Sequence, residues 1–172
     1  MDALVHQFIE QSVYYIGLNP PRIRKCLSLL DENQIWIKPN EQSNSIGNLI
    51  LHLCGNITQY VLSGLGGLKD ERMRDREFTA KGGLTKAELL NKMEAVTDKA
   101  VAIIRAMDEK SLTALRMVQG FELTGTAIII HVTEHFSYHI GQIALLTKLF
   151  DNKDLGFYEG VDLQQKNTAP AR

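Results

Sequence analysis

From Gly125 to Phe150 the chain runs without a proline through isoleucine, leucine, valine and alanine, and Glu134 is its only acid. A stretch of that length and hydropathy is a helix covered on most sides, either by protein or by lipid. It also holds His131, His135, His139, Gln142 and several hydroxyl side chains. Hydrocarbon would tolerate that polarity only at high cost. The segment therefore reads as a helix buried inside protein, and the rest of the chain must supply its cover.

The remaining segments are of a kind to do so. Asp2 to Gly17 is apolar at helical intervals (Leu4, Phe8, Val13) and breaks at Gly17-Leu18-Asn19-Pro20-Pro21. Prolines are accepted in a first helical turn, so a second piece over about 20–31 follows, and the two form one interrupted helix. Trp36 to Asn40 reads as a loop. The next helix is capped by Ser43, Asn44 or Ser45 and runs to Ser63, before Gly64, Gly66 and Gly67. Residues 69–79 read as a polar connection. Thr85 and Glu88 have capping-box spacing and open a helix to about Met107, with Leu89, Met93, Val96, Ala100, Ile103 and Ile104 on one stripe. Residues 111–123 are irregular or weakly extended, with a turn at Gly120. Four long amphipathic helices predict an all-α protein, a four-helix bundle whose longer connections have the length of crossovers.

Composition sets the class. With 172 residues, 44% apolar and 23% charged, the chain is expected to form one domain over 1–160 with a flexible tail over 161–172. A net charge of −1 argues against a nucleic-acid partner. In the most Arg-rich segment, Lys69, Arg72, Arg74 and Arg76 are cancelled by Asp70, Glu71, Asp75 and Glu77. Cys26 and Cys54 form no CxxC pair, and Met1 to His6 does not resemble the start of a signal peptide, so a reducing cytoplasmic setting is expected, without a membrane.

His131, His135 and His139 follow one another at four-residue steps and drift only about 40° per step, so they share a stripe. Adjacent members can direct ring nitrogens at one ion, whereas the outer two stand about 12 Å apart and cannot both do so. Either pair includes His135. A third ligand has to come from another helix, and His52 is the candidate, at the polar edge of the arc of Ile46, Leu53 and Ile57. Asn48, Asn56 and Gln59 flank it, either orienting the imidazole or, for Asn48 and Gln59 above all, facing solvent. His6 reads as structural or exposed.

Two stretches carry a family resemblance: Ser45-Ile46-Gly47-Asn48-Leu49-Ile50-Leu51-His52-Leu53-Cys54-Gly55-Asn56 and Glu134-His135-Phe136-Ser137-Tyr138-His139-Ile140-Gly141-Gln142-Ile143. They resemble the DinB-like superfamily, which includes the YfiT-type thiol transferases. The second is similar to that family's His-x-x-Tyr-His-x-Gly-Gln signature with one extra spacer. Arg74 to Phe78 and Asp154 to Tyr158 resemble an uncharacterised subgroup. The resemblance implies a four-helix bundle with a long crossover, a homodimer, and a divalent metal on His52, His135 and His139, with His131 as a neighbour.

Three neutral imidazoles leave an ion with open positions, the arrangement of a catalytic site. Zinc or nickel suits such ligands. The resemblance implies a transferase that moves a low-molecular-weight thiol to an electrophile, with metal-assisted hydrolysis of a small molecule as the variant. The competing reading is a non-catalytic, metal-stabilised dimeric binding or stress-response protein, for which Leu51 and Leu62, off the main arc of their helix, would supply a second buried surface. Catalytic residues stay unknown. Glu134 is a candidate general base, although it points about 100° away from His135. Tyr138 is a candidate proton donor with packing as its alternative. Gln142 either hydrogen-bonds within the site or packs, and Cys54 belongs to the core.

Overall fold

Pro20 and Pro21 have no backbone N–H to return to the preceding turn, so the first helix is interrupted at Leu18. A computed structural model describes residues 2–167. In it α1 spans Ala3–Gly17 and α2 spans Asn19–Ser28. The buried face of α1 is Ile9, Ser12, Val13 and Ile16, while Leu4, expected on the apolar stripe, is exposed. A single 3-10 turn, Gln34–Trp36, follows. Helix α3, Ile46–Ile57, starts at a reciprocal cap: Ser45 Oγ accepts from the Asn48 backbone and Asn48 Oδ1 accepts from the Ser45 backbone.

The expected continuation to Ser63 is present as a π-helical turn, Thr58–Ser63. Residues 69–79, expected to be only a connection, contain a short helix, α4, Arg74–Thr79, packed on α3. Helix α5, Lys86–Arg105, has the predicted Thr85–Glu88 box and buries Leu89, Met93, Thr97, Ala100 and Ile104. A short α6, Glu109–Thr113, leads to an antiparallel hairpin, β1 Leu115–Val118 and β2 Phe121–Thr124. The weakly extended segment is therefore a true hairpin, turning through Gln119 and Gly120, both at positive φ. Helix α7, Gly125–Asp151, completes the order.

The chain is thus mostly helical with one small sheet. Helices α1 and α2 pack against both α5 and α7, and α3 packs against the same two, so the core lies between them. Ile50, Leu53, Met93, Ile104, Val132 and Phe136 meet there, each at most 1% exposed. The packing of α3 against α7 is what brings their histidines face to face. After α7 the chain stays attached: Leu155 is buried, and Phe157 lies under the Arg22 guanidinium. Of the expected tail, 161–167 are exposed and 168–172 lie outside the described residues. Among the described residues no helix is long and apolar enough to cross a membrane.

Candidate metal centre

His52 sits two turns into α3 and His135 and His139 near the middle of α7, where the two helices pack. One ring nitrogen from each can be chosen so that all three lie within 4.8 Å of one another. The ring centroids of His52 stand 5.0 Å from those of both His135 and His139. Nitrogens sharing a tetrahedral ion with bonds near 2.1 Å are about 3.4 Å apart. The trio therefore fits a divalent cation in donor type and in spacing. His131 lies outside it, stacked on His135 at 5.2 Å, as a neighbour.

Ring nitrogens bind metal through an unprotonated lone pair, so the other nitrogen matters. Nδ1 of His139 lies 2.7 Å from Gln142 Oε1, which can only accept, so Nδ1–H donates and Nε2 is left free. This is the within-site role offered for Gln142 by its spacing. Burial is the main cause holding the His139 pKa below its ordinary value. Burial, followed by the neighbouring histidines and Arg72, pushes His135 down to about 3. His131 is lowered as well, chiefly by burial. Near neutral pH these imidazoles keep their lone pairs.

The surroundings of His52 differ from the sequence expectation. Asn48 is fully buried instead of solvated, and Gln59 is half-buried. Nδ1 of His52 meets Glu77 Oε2 at 2.9 Å, a carboxylate from the segment read as a polar connection whose charges cancel. Arg72 donates to both oxygens of that carboxylate, from Nε to Oε1 at 2.8 Å and from Nη2 to Oε2 at 2.9 Å. Burial alone would raise the Glu77 pKa, but hydrogen bonds from Arg72 and His52 outweigh it and leave the carboxyl below its usual range. Asn56 places Nδ2 3.3 Å from His131 Nε2, and its buried Oδ1 has no hydrogen-bond partner among the described residues. Tyr60, in the π-helical turn, stacks on His131 at 4.3 Å and donates to Gln119 Oε1.

The weaker candidates are not gathered here. Glu134 and Tyr138 are exposed and line a separate cleft of about 570 Å³ with Ser12, Asn19 and Arg22, although the Tyr138 ring stands 5.0 Å from that of His139. Cys54 and Cys26 are buried core residues. Leu62 is 4% exposed and belongs to the core, while Leu51 is partly buried and packs against it. His6 is exposed.

The fold is that of the DinB-like proteins. The chain is similar to a DinB-like protein from Bacillus subtilis, with a TM-score of 0.64 and 19% identity over 84% of this chain and 94% of that one. A DinB-like protein from Bacillus cereus ATCC 10987 gives 0.64 and 19% over 83% and 90%. A conserved protein from Enterococcus faecalis gives 0.69 and 13% over 84% and 97%. The chain belongs to the DUF1572 family, described as proteins of unknown function, whose model matches residues 6–158. No curated protein matches the chain.

Proposed function

We propose that the chain is a metal-dependent enzyme holding one divalent ion on Nε2 of His52, His135 and His139. One observation carries this reading. Three imidazoles from two helices converge within 4.8 Å, and the Nδ1 atoms of His52 and His139 are both engaged by oxygen acceptors. Three neutral ligands leave a coordination position for a substrate atom or water. Zinc or nickel suits the donors, and when bound would lower the pKa of a thiol or water near it. The reaction we propose is transfer of a low-molecular-weight thiol to an electrophile, with hydrolysis as the variant.

The protein's own part is orientation and exclusion of water. His52 and His139 are 5% and 8% exposed, so an ion there would exchange with solvent chiefly past His135. We read the long helices as a four-helix bundle, α1 with α2 serving as one interrupted helix, and propose a homodimer as the working unit. Metal analysis of tag-free protein purified without chelator tests the reading. About one ion per chain is expected, with near-complete loss in His135→Ala. A screen of cellular thiols against electrophiles then tests the chemistry. Stoichiometric metal with no turnover would favour the non-catalytic alternative.

A further inference from the structure

Asn48, His52, Gly55 and Gln59 follow one another on α3 and its continuation at steps of four, three and four, and so form one stripe. Each meets the segment that contains α4. Asn48 Nδ2 donates to the backbone carbonyls of Glu77 and Ala80 at 2.9 and 2.8 Å. Gln59 Oε1 accepts from Arg72 Nη1 at 2.9 Å. A Cβ at Gly55 would overlap Glu77 Oε1 and come within 3.0 Å of Arg72 Nε. The stripe is a socket for the Glu77–Arg72 pair, whose side chains are 10% and 4% exposed.

We propose that Glu77, clamped by Arg72, is the positioning residue of the metal centre: it holds His52 with its proton on Nδ1 and so aims an unprotonated Nε2 at the ion. This rests on the metal reading above. An ionised carboxylate can only accept, so the 2.9 Å contact requires a proton on Nδ1, and a neutral imidazole has no second one. The neighbouring arginine makes the carboxylate necessary. Arg72 Nη2 lies 3.1 Å from the same Nδ1. Without Glu77 the guanidinium, always a donor, would give its hydrogen to Nδ1 and move the imidazole proton to Nε2. That tautomer cannot bind a metal through Nε2. Glu77 occupies the arginine's donors and reverses the choice.

The test combines zinc competition against a chromophoric chelator with two-bond 1H–15N spectra of the histidine rings. In metal-free wild type, His52 is expected to carry its proton on Nδ1. Glu77→Asp keeps a charge for Arg72 but withdraws it from His52, and Gly55→Ala displaces the pair without altering a ligand. Both are expected to lower zinc affinity by about ten- to a hundredfold, with wild-type circular dichroism and His52 shifted toward Nε2–H. Glu77→Gln leaves the guanidinium unpaired and is the variant most exposed to misfolding; the wild-type tautomer and Glu77→Asp decide without it. A wild-type His52 protonated on Nε2, or unchanged zinc affinity in folded Glu77→Asp and Gly55→Ala, overturns the role of Glu77 alone. Equal zinc binding by wild type and His135→Ala, or none by wild type, overturns the metal reading instead.

Discussion

Nε2 of His52 lies 2.9 Å from Nε2 of His135, although 83 residues separate the two in sequence. Two lone pairs at that distance repel, so one of the nitrogens carries a hydrogen. With Nδ1 of His52 facing the Glu77 carboxylate, that hydrogen belongs to His135. A cation held by both rings would take its place, with His135 then carrying its proton on Nδ1. Binding to the folded chain alone stabilises it by mass action, by about 2.7 kcal/mol when free metal is a hundred times Kd. Scanning calorimetry of chelator-treated protein should therefore show zinc raising the Tm of wild type and leaving that of His135→Ala in place. Equal shifts would point to adventitious surface binding.

The same burial makes the metal-free protein sensitive to acid. The pKa of His135 is depressed from 6.5 to about 3, and those of His131 and His139 are also lowered. For a depressed base, the folded state binds fewer protons than the unfolded chain below the unfolded pKa. The contribution to stability is whole above about pH 6.5 and is lost progressively as pH falls through the folded value near 3. Glu77, also depressed, adds a loss in the same direction below its ordinary value of 4.5. The Tm of metal-free protein should fall between about pH 7 and pH 5, and the slope should be shallower in His135→Ala. A pH-independent Tm across that window would contradict the burial of these rings.

Cys54 follows His52 by two residues, about 200° round the helix. Burial pushes its thiol from 9.0 up to about 12, and the residue is 2% exposed. A rise of that size leaves roughly a thousandfold less thiolate near neutral pH, and the thiolate is the reactive form. Cys26, raised by burial too, behaves alike. Native protein should give no rapid reaction with Ellman's reagent, and denaturant should release both thiols. Fast modification of native Cys54 would make the chain itself a candidate thiol donor, contrary to the proposed use of a small-molecule thiol.

The helices were legible because their signals are local. The Pro20-Pro21 break, the Thr85–Glu88 box and the four-residue histidine step each act within a turn or two. The partner of His52 was not legible, because Arg72 and Glu77 are five residues apart inside a run whose charges balance. Such a run reads as a solvated face, and only the packing of α4 on α3 turns these two inward. A signal was present: Gly55, an isolated glycine inside an apolar helix three residues after His52, marks a close approach. Leu62 was misread for a different reason. Helical phase carried past Ile57 assumes α geometry, whereas the π-helical turn at Thr58–Ser63 adds a residue per turn and rotates Leu62 into the core.

Gly47 offers a test of the fold that does not touch the metal centre. Trp36 lays its ring across the first turn of α3, and a Cβ on Gly47 would stand 2.7 Å from its Cε3 and Cζ3. The ring cannot simply slide away, since its Nε1–H donates to the Leu84 carbonyl at 3.1 Å. Two effects oppose each other in Gly47→Ala. Alanine gains about 1 kcal/mol in helix propensity, while forcing extra volume into a packed contact costs about 1–3 kcal/mol. The backbone anchor of Trp36 favours the upper part of that cost, so a net loss of roughly 1–2 kcal/mol is expected by urea unfolding. Trp36 is the only tryptophan, so its fluorescence in the folded variant reports the displacement directly, as a shift to longer wavelength. A variant more stable than wild type, with unshifted emission, would mean that this turn does not pack on α3 as described.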